Sequence, residues 1–333
     1  MFFLIGISLL LALFLTVNLA LSVASAILWR PARHLLRSAE PRNLARSAFA
    51  FRIMPTIIAA TFTFGLVMPA FLLFEPETPA ETFGWRLGSV VALSAVGVVA
   101  ACVRLVQSHN RTAELRSRWI SGSTATTRVI ENARVYALEH EFPVVAVVGV
   151  LRPKLFVARQ ILDTLEEGEI AAALNHERGH IAAGDNLKRS VLRVCRDLVI
   201  FPVGRQIDTD WAKAAELAAD DFAVAEGGRL AAIDLASALL KIGKIAARTT
   251  GRINLEAAYL ISPEAASIAS RVQRLLDIAE GNVVIRPVPQ AAGTALIATG
   301  AAVLIMVIAA TAAHLGLLAV VHDTSEAFLR VFE

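Results

Sequence analysis

His176, Glu177 and His180 are the residues of this sequence best placed to do chemistry. On a helix, side chains four apart share a face with β-carbons about 5–6 Å from one another, so the two imidazoles can reach a single ion. Zn²⁺ takes imidazole nitrogen at about 2.0–2.1 Å, and in hydrolytic sites it keeps three protein ligands and a water. Glu177 lies about 100° round the helix from His176, where it can reach that water without binding the ion. The chemistry implied is metal-assisted peptide hydrolysis with Glu177 as catalytic base. A third ligand must come from elsewhere, and Glu216, 36 residues past His180, is the candidate. A Glu in so Ala-rich a helical stretch ordinarily faces solvent; its spacing from the His pair favours the ligand reading. Asp220, one turn later on the same face, can accept a hydrogen bond from a ligand imidazole. Asp185 can support the other imidazole or cap the next helix. Asp221 points elsewhere and is expected in solvent. His140, Arg271 and Arg274 are the candidates to stabilise an oxyanion, although structural roles suit each of them better.

These side chains need rigid elements to carry them. Thr164 with Glu167 three residues on is a capping-box pattern, and Ile170, Ala173, Leu174 and Ile181 recur at helical spacing, so a helix is expected from about Thr164 to Ala183. Gly184-Asp185 ends it. Upstream, the pattern from Arg128 to Leu138 is compatible with a helix. Val144 to Val150 and Lys154 to Ala158 are β-rich runs separated by a turn at Pro153, and the latter strand could align an extended substrate by edge pairing. Downstream, Leu187 to Val203 is basic and amphipathic, either a helix on the membrane surface or a core helix with a solvated basic face. Asp208, Thr209 or Asp210 would cap a helix from Trp211 to Ala225, stopped by Gly227-Gly228. Further helices are expected over Leu230 to Ala247 and, with Ser262 as cap, through Ala279.

The remainder of the chain reads as a membrane frame. Of 333 residues 56% are apolar, too many for an ordinary soluble enzyme, and they concentrate in four uncharged runs. Spanning helices are expected at about 2–29, 53–74 and 87–103, with a fourth within 290–321 interrupted by His314. The loop 30–52 holds six arginines, the loop after the second run is acidic, and the exit of the third is again basic. The positive-inside rule therefore puts residues 107–289 in the cytoplasm and both termini outside, with 322–333 as a short extracytoplasmic tail. The net charge of +3 comes from these arginine clusters, so no direct nucleic-acid partner is implied. Cys102 and Cys195 lie in unlike surroundings and are expected as free thiols.

Leu165 to Leu187, with Glu169, Ala172, Leu174, the His-Glu pair, His180 and Asp185-Asn186-Leu187, resembles the BlaR/MecR antirepressor family of membrane zinc peptidases. Phe201-Pro202 and Glu216-Leu217-Ala218-Ala219-Asp220 resemble that family's second block, Arg152-Pro153 with Leu155-Phe156-Val157 its preceding strand pair, and Ser270-Arg271-Val272 a later helix. The resemblance implies a mainly α membrane protein with four transmembrane helices and a cytoplasmic α+β gluzincin-like domain carrying a small β-sheet. It implies Zn²⁺ on His176, His180 and Glu216 with Glu177 as base, and a protein or peptide substrate such as a transcriptional repressor. Two departures stand out. The external penicillin-binding domain of the family's antibiotic sensors is not expected after the last helix, so β-lactam sensing by this chain alone is not implied. Arg178 stands where an apolar residue is usual. Rival readings are a zinc-binding signalling protein without turnover, a membrane-protein quality-control peptidase of the HtpX kind, and a transporter carrying the motif by accident.

Overall fold

Residues 2–74, 84–130, 133–149, 153–250, 265–283 and 314–330 are described by a computed structural model of the protein. The first apolar run forms α1 (Phe2–Leu35), which continues past Trp29 through Pro31. α2 (Pro41–Phe62) begins with Pro41 in its first turn, where no N–H is required. The stretch expected as the loop 30–52 is therefore almost wholly helical, and its arginines other than Arg37 lie on α1 or α2. Strong helix formers such as Leu44, Ala45 and Ala48 explain the difference. The second run continues through a π-turn at Thr63–Val67 into α3 (Met68–Phe74). Met68 donates to Thr63 O, five residues back, and this widened turn makes room for the ring of Pro69. α4 (Trp85–Ser121) carries the third run well beyond Val103. Ile5–Leu35, Pro41–Phe74 and Trp85–Ser121 are each long and apolar enough to cross a membrane.

Most of the expected fourth span, like the Ser262 cap and the acidic loop after the second run, lies outside the described residues. Within its C-terminal part, Leu315–Arg330 forms a further helix packed on α3 and the π-turn. Residues 322–330, within the expected short tail, continue this helix, and His322 is buried against the Phe74 ring, with centroids 6.0 Å apart.

Between α4 and the site lies a four-stranded sheet of β1 (Ser123–Ile130), β2 (Ala133–Leu138), β3 (Val145–Val148) and β4 (Lys154–Ala158), in the order β1-β2-β4-β3. The expected helix over 128–138 is corrected here to two antiparallel strands. Val135 and Ala137 are buried and Tyr136 between them is not, a period of two. β3 and β4, β-rich runs that read as a hairpin or a pair of short strands, form an antiparallel pair, and β2 joins β4 in parallel. Leu155 to Ala158 are all buried, packed with Trp119, Ile161, Ile170 and Leu174. This places β4 in the middle of the sheet, so the expectation that it pairs with substrate as an edge is overturned.

After the short α5 (Arg159–Thr164) come α6 (Glu167–Ala183) and α7 (Asp185–Val199), joined at Gly184 in the left-handed region (φ 68°). The cap of α6 is Glu166, which exchanges hydrogen bonds with Glu169, and not Thr164. Thr164 instead donates back to Gln160 O within α5. α7 buries Leu192, Cys195 and Val199, and it packs against α4 and α2 as a core helix with a basic outer face. α8 (Arg205–Thr250) starts before the expected caps and consists of two helical stretches that meet in a kink at the non-helical Gly228 (φ 73°), where the expected stop falls. Asp208 and Asp210, freed from capping, anchor α8 to the apolar helices: Asp208 pairs with buried Arg52 at 3.0 Å, and Asp210 accepts from Trp29 Nε1 at 2.8 Å. α9 (Ala265–Glu280) lies on α8. Both cysteines are free.

Candidate metal centre

α6 and α8 approach closely because Gly179 has no side chain. A Cβ there would lie 3.0 Å from Ala219 Cα and 3.1 Å from Phe222 Cβ. The contact falls between the two histidines on one helix and beside Glu216 and Asp220 on the other, so it sets the distance across the site.

Each imidazole is held from behind by a carboxylate. His176 Nδ1 lies 2.9 Å from Asp220 Oδ1, and His180 Nδ1 lies 2.8 Å from Asp185 Oδ2. Those contacts fix the tautomer that leaves Nε2 available as a ligand atom on both rings. Both Nε2 atoms face Glu216, at 3.5 Å for His176 and 3.6 Å for His180. Two ligand atoms about 2.05 Å from one tetrahedral ion would be roughly 3.3 Å apart, so these spacings fit zinc with little adjustment. His176, His180 and Glu216 together present ligand atoms that all lie within 4.8 Å of one another. Two imidazoles and a carboxylate make a donor set suited to this ion.

Arg271, from α9, completes the cluster. Its Nε and Nη2 donate to the two oxygens of Asp220 at 2.9 and 2.6 Å, and Nη1 donates to Glu216 Oε2 at 3.0 Å. Its Nη2 also sits 3.4 and 3.5 Å from the two ring nitrogens of His176. One guanidinium thus fixes the carboxylate behind His176 and one oxygen of Glu216, and Oε1 is left facing His180. The sequence suggests Arg271 as an oxyanion candidate and as part of a later helix, not as the partner of Asp220 and Glu216. A stronger signal was present: Arg271, Leu275 and Ile278 are spaced i, i+4, i+7 on the buried face of α9, and an arginine on such a face requires acidic partners.

The electrostatics follow from burial and these pairings. Burial disfavours a charged His176, but the hydrogen bonds it donates to Asp220 and Glu216 outweigh that and push its pKa up to about 9. For Asp220, burial is likewise outweighed, by His176 and Arg271, and its pKa is held down at about 2. Glu216 is held well below the usual carboxylate range: burial raises it, and the hydrogen bond and charge of His176, with His180 and Arg271, lower it further. Glu177 moves the other way. Burial raises its pKa, and the charges of His176 and His180 offset this only in part. Among the described residues Glu177 makes no hydrogen bond or ion pair, in contrast to Glu216, Asp220 and Asp185 around it. A partly desolvated, unengaged carboxylate beside a pair of imidazoles is suited to taking a proton.

The other candidates are engaged elsewhere. His140 Nδ1 accepts from Phe142 N at 3.0 Å, and its ring stands edge-on to Trp119. Arg274 pairs with Asp221 at 2.7 Å, which corrects the expectation that Asp221 is solvated. Arg178 Nη1 donates to Asn175 Oδ1 at 2.9 Å. Among the described residues, β3 is the outer strand of the sheet on the side of α6. Ala158 N donates to Val144 O, so by alternation Val145 and Val147 turn their backbone groups outward. Asn186, next to Asp185, donates to Val147 O and Gly149 O and ties that edge to the start of α7.

The geometry is that of a two-histidine, one-carboxylate metal site with a base beside it. Comparison with known protein families matches residues 129–233 to Peptidase family M48, a stretch that contains β2 to β4, α6, α7 and the metal-facing part of α8. The match supports a zinc metallopeptidase. No curated protein matches the chain.

Proposed function

We propose that the protein is a membrane-embedded zinc metalloendopeptidase that cleaves flexible segments of cytoplasmic or membrane-proximal proteins. The observation that carries this reading is the pairing of each Nδ1 with its own carboxylate while both Nε2 atoms face Glu216. The ion would be held by His176, His180 and Glu216, and when bound it supplies Lewis acidity that polarises the scissile carbonyl and acidifies water. Glu177 takes a proton from the attacking water onto a carboxylate oxygen and delivers it to the nitrogen of the leaving amine. Asp220 and Asp185 keep the imidazoles in the ligating tautomer, and Arg271 keeps Asp220 ionised and in place. An extended substrate pairs with the outward backbone groups of Val145 and the N–H of Val147 on β3, Val147 O being held by Asn186, which favours unfolded or loosely held segments. The basic helix ends around Arg30 to Arg46 favour a cytoplasmic site. The antirepressor resemblance makes a transcriptional repressor the substrate class of first interest.

The test uses the full chain in detergent, with Glu177→Gln as its partner. Zinc content is measured for both, and hydrolysis of casein and self-cleavage are followed. Equal zinc with hydrolysis only by the wild type supports the proposal. Equal residual hydrolysis in both would remove Glu177 from the mechanism, and zinc without hydrolysis in either would favour a signalling protein that binds metal without turnover.

A further inference from the structure

Leu198 to Val203 are consecutive apolar residues between Asp197 and Gly204-Arg205, and they form the end of α7 and the turn into α8. Their depth can be read along α4. Arg193 Nη1 donates to Ser108 Oγ at 3.3 Å, Arg104 Nη1 pairs with Asp197 at 2.7 Å, and Ile200 packs against Gly97, where a Cβ would lie 3.0 Å from Ile200 Cγ1. α7 therefore runs antiparallel to α4, and before it ends it passes Arg104, the first charge after the apolar run 87–103. The return is marked on α2. A Cβ on Gly204 would lie 3.1 Å from Nη1 of Arg52, the charge directly before the run that begins at Ile53, and Arg52 Nε donates to Asp208 on α8 at 3.0 Å.

The chain thus crosses the charged rim of these two runs at Asp197 and recrosses it at Gly204, and the residues between reach the level of Gly97. Gly97 precedes Arg104 by seven residues, about 10 Å along a helix, and one leaflet of hydrocarbon is about 15 Å deep. At that level Ile200, Phe201 and Pro202 are exposed, Phe201 at 44%. Val96 and Val99, beside Gly97 on α4, are each 60% exposed, so the turn continues an apolar belt on a helix long enough to cross a membrane. Its backbone suits hydrocarbon as well: Pro202 has no N–H, and Val203 N donates to Phe201 O at 2.7 Å. We propose that the α7–α8 turn, Leu198 to Val203, dips into the bilayer and packs on lipid acyl chains, a second attachment for the domain that carries the metal centre. The proposal rests on α2 and α4 crossing the membrane. Asp185, which holds His180, begins the same helix that the turn ends, so the anchor and the site share one rigid element.

The test reads the depth of the turn directly. The full chain carrying Cys102→Ser and Phe201→Cys is labelled with a nitroxide and reconstituted in phosphatidylcholine bilayers. Collisions with oxygen, which concentrates in hydrocarbon, are compared with collisions with a water-soluble nickel chelate, and lipids labelled at known acyl positions calibrate the depth. The Cys102→Ser protein alone sets the background from buried Cys195. Val99→Cys marks the lipid face of α4, and Leu230→Cys, an apolar residue 74% exposed farther along α8, marks water. The label at 201 is expected to favour oxygen as the label at 99 does, at about 10 Å inside the hydrocarbon edge. Thermal unfolding checks each variant, and Pro202→Cys supplies the reading should Phe201→Cys unfold. Oxygen excess at 99 with nickel excess at 201 would overturn the anchor, and so would exclusion of both reagents from 201, which would mean that protein covers the turn. Nickel excess at 99 would instead refute the span on which the anchor rests.

Discussion

Substituting Gly179 by alanine should damage the metal site without touching a ligand. The added Cβ would meet Ala219 Cα at 3.0 Å, whereas ordinary contacts begin near 3.4 Å, so α8 must retreat from α6 by about 0.4 Å. Ala219 lies between Glu216 and Asp220, less than one turn from each, so the movement is passed to both carboxylates. Metal–ligand distances tolerate only about 0.2 Å of error. Overpacking of this kind costs about 1–3 kcal/mol of stability, and disturbed support of a ligand typically weakens metal binding about 10–100-fold. Zinc affinity by chelator competition and thermal unfolding with and without zinc would measure both effects. Gly243→Ala is the control: its Cβ would meet only Ile268 Cδ1 at 3.8 Å, and mid-helix alanine should stabilise by about 0.5–1 kcal/mol. A Gly179→Ala protein that binds zinc as tightly as the wild type would refute the claim that this helix contact sets the ligand geometry.

Other expectations follow from the pairings. In the metal-free protein His176 titrates at about 9 rather than 6.5, so its contribution to stability is present below 6.5 and is lost as pH rises through about 9. Thermal unfolding of zinc-free protein should show that loss, zinc binding should tighten over the same window as the competing proton leaves, and Asp220→Asn should flatten both. Because burial raises Glu177, the acid limb of a kcat/KM profile should lie above the ordinary glutamate value of 4.5. A limb at or below that value would argue for a different base. Asp208→Ala leaves the buried Arg52 without its partner and should destabilise the chain by about 3 kcal/mol in chemical denaturation, while zinc stoichiometry stays unchanged. Arg271→Lys keeps the charge but loses the two-pronged contact with Asp220, and it should weaken zinc binding about 10-fold or more.

Much of the site could be read from spacing alone, because a helix puts residues four apart on one face. That rule brings His176 to His180 and Glu216 to Asp220 before any packing is known. The ends of α6 could be read partly: Gly184 marked the C-terminus, but Thr164 belongs to the short helix before it and Glu166 provides the cap. Sheet topology was not legible. Residues 128–138 mix apolar and charged positions in a way that suits a helix too, and they become strands only through pairing with Lys154–Ala158, which lies beyond β3 in the chain. That non-local pairing also decides that β3, and not β4, is the edge. Gly179 and Arg271 were invisible in their roles for the same reason, since one acts through α8 and the other from α9. The basic loop read between the first two apolar runs was an error of local punctuation: only residues 36–40 interrupt the helices.

The most direct measurement is zinc X-ray absorption on the purified full chain loaded with one equivalent of metal. The account predicts two imidazole ligands with oxygen donors completing a shell at about 2.0–2.1 Å, and one imidazole fewer in His176→Ala and in His180→Ala. A sulfur ligand, a shell without imidazole, or spectra unchanged in both variants would contradict it.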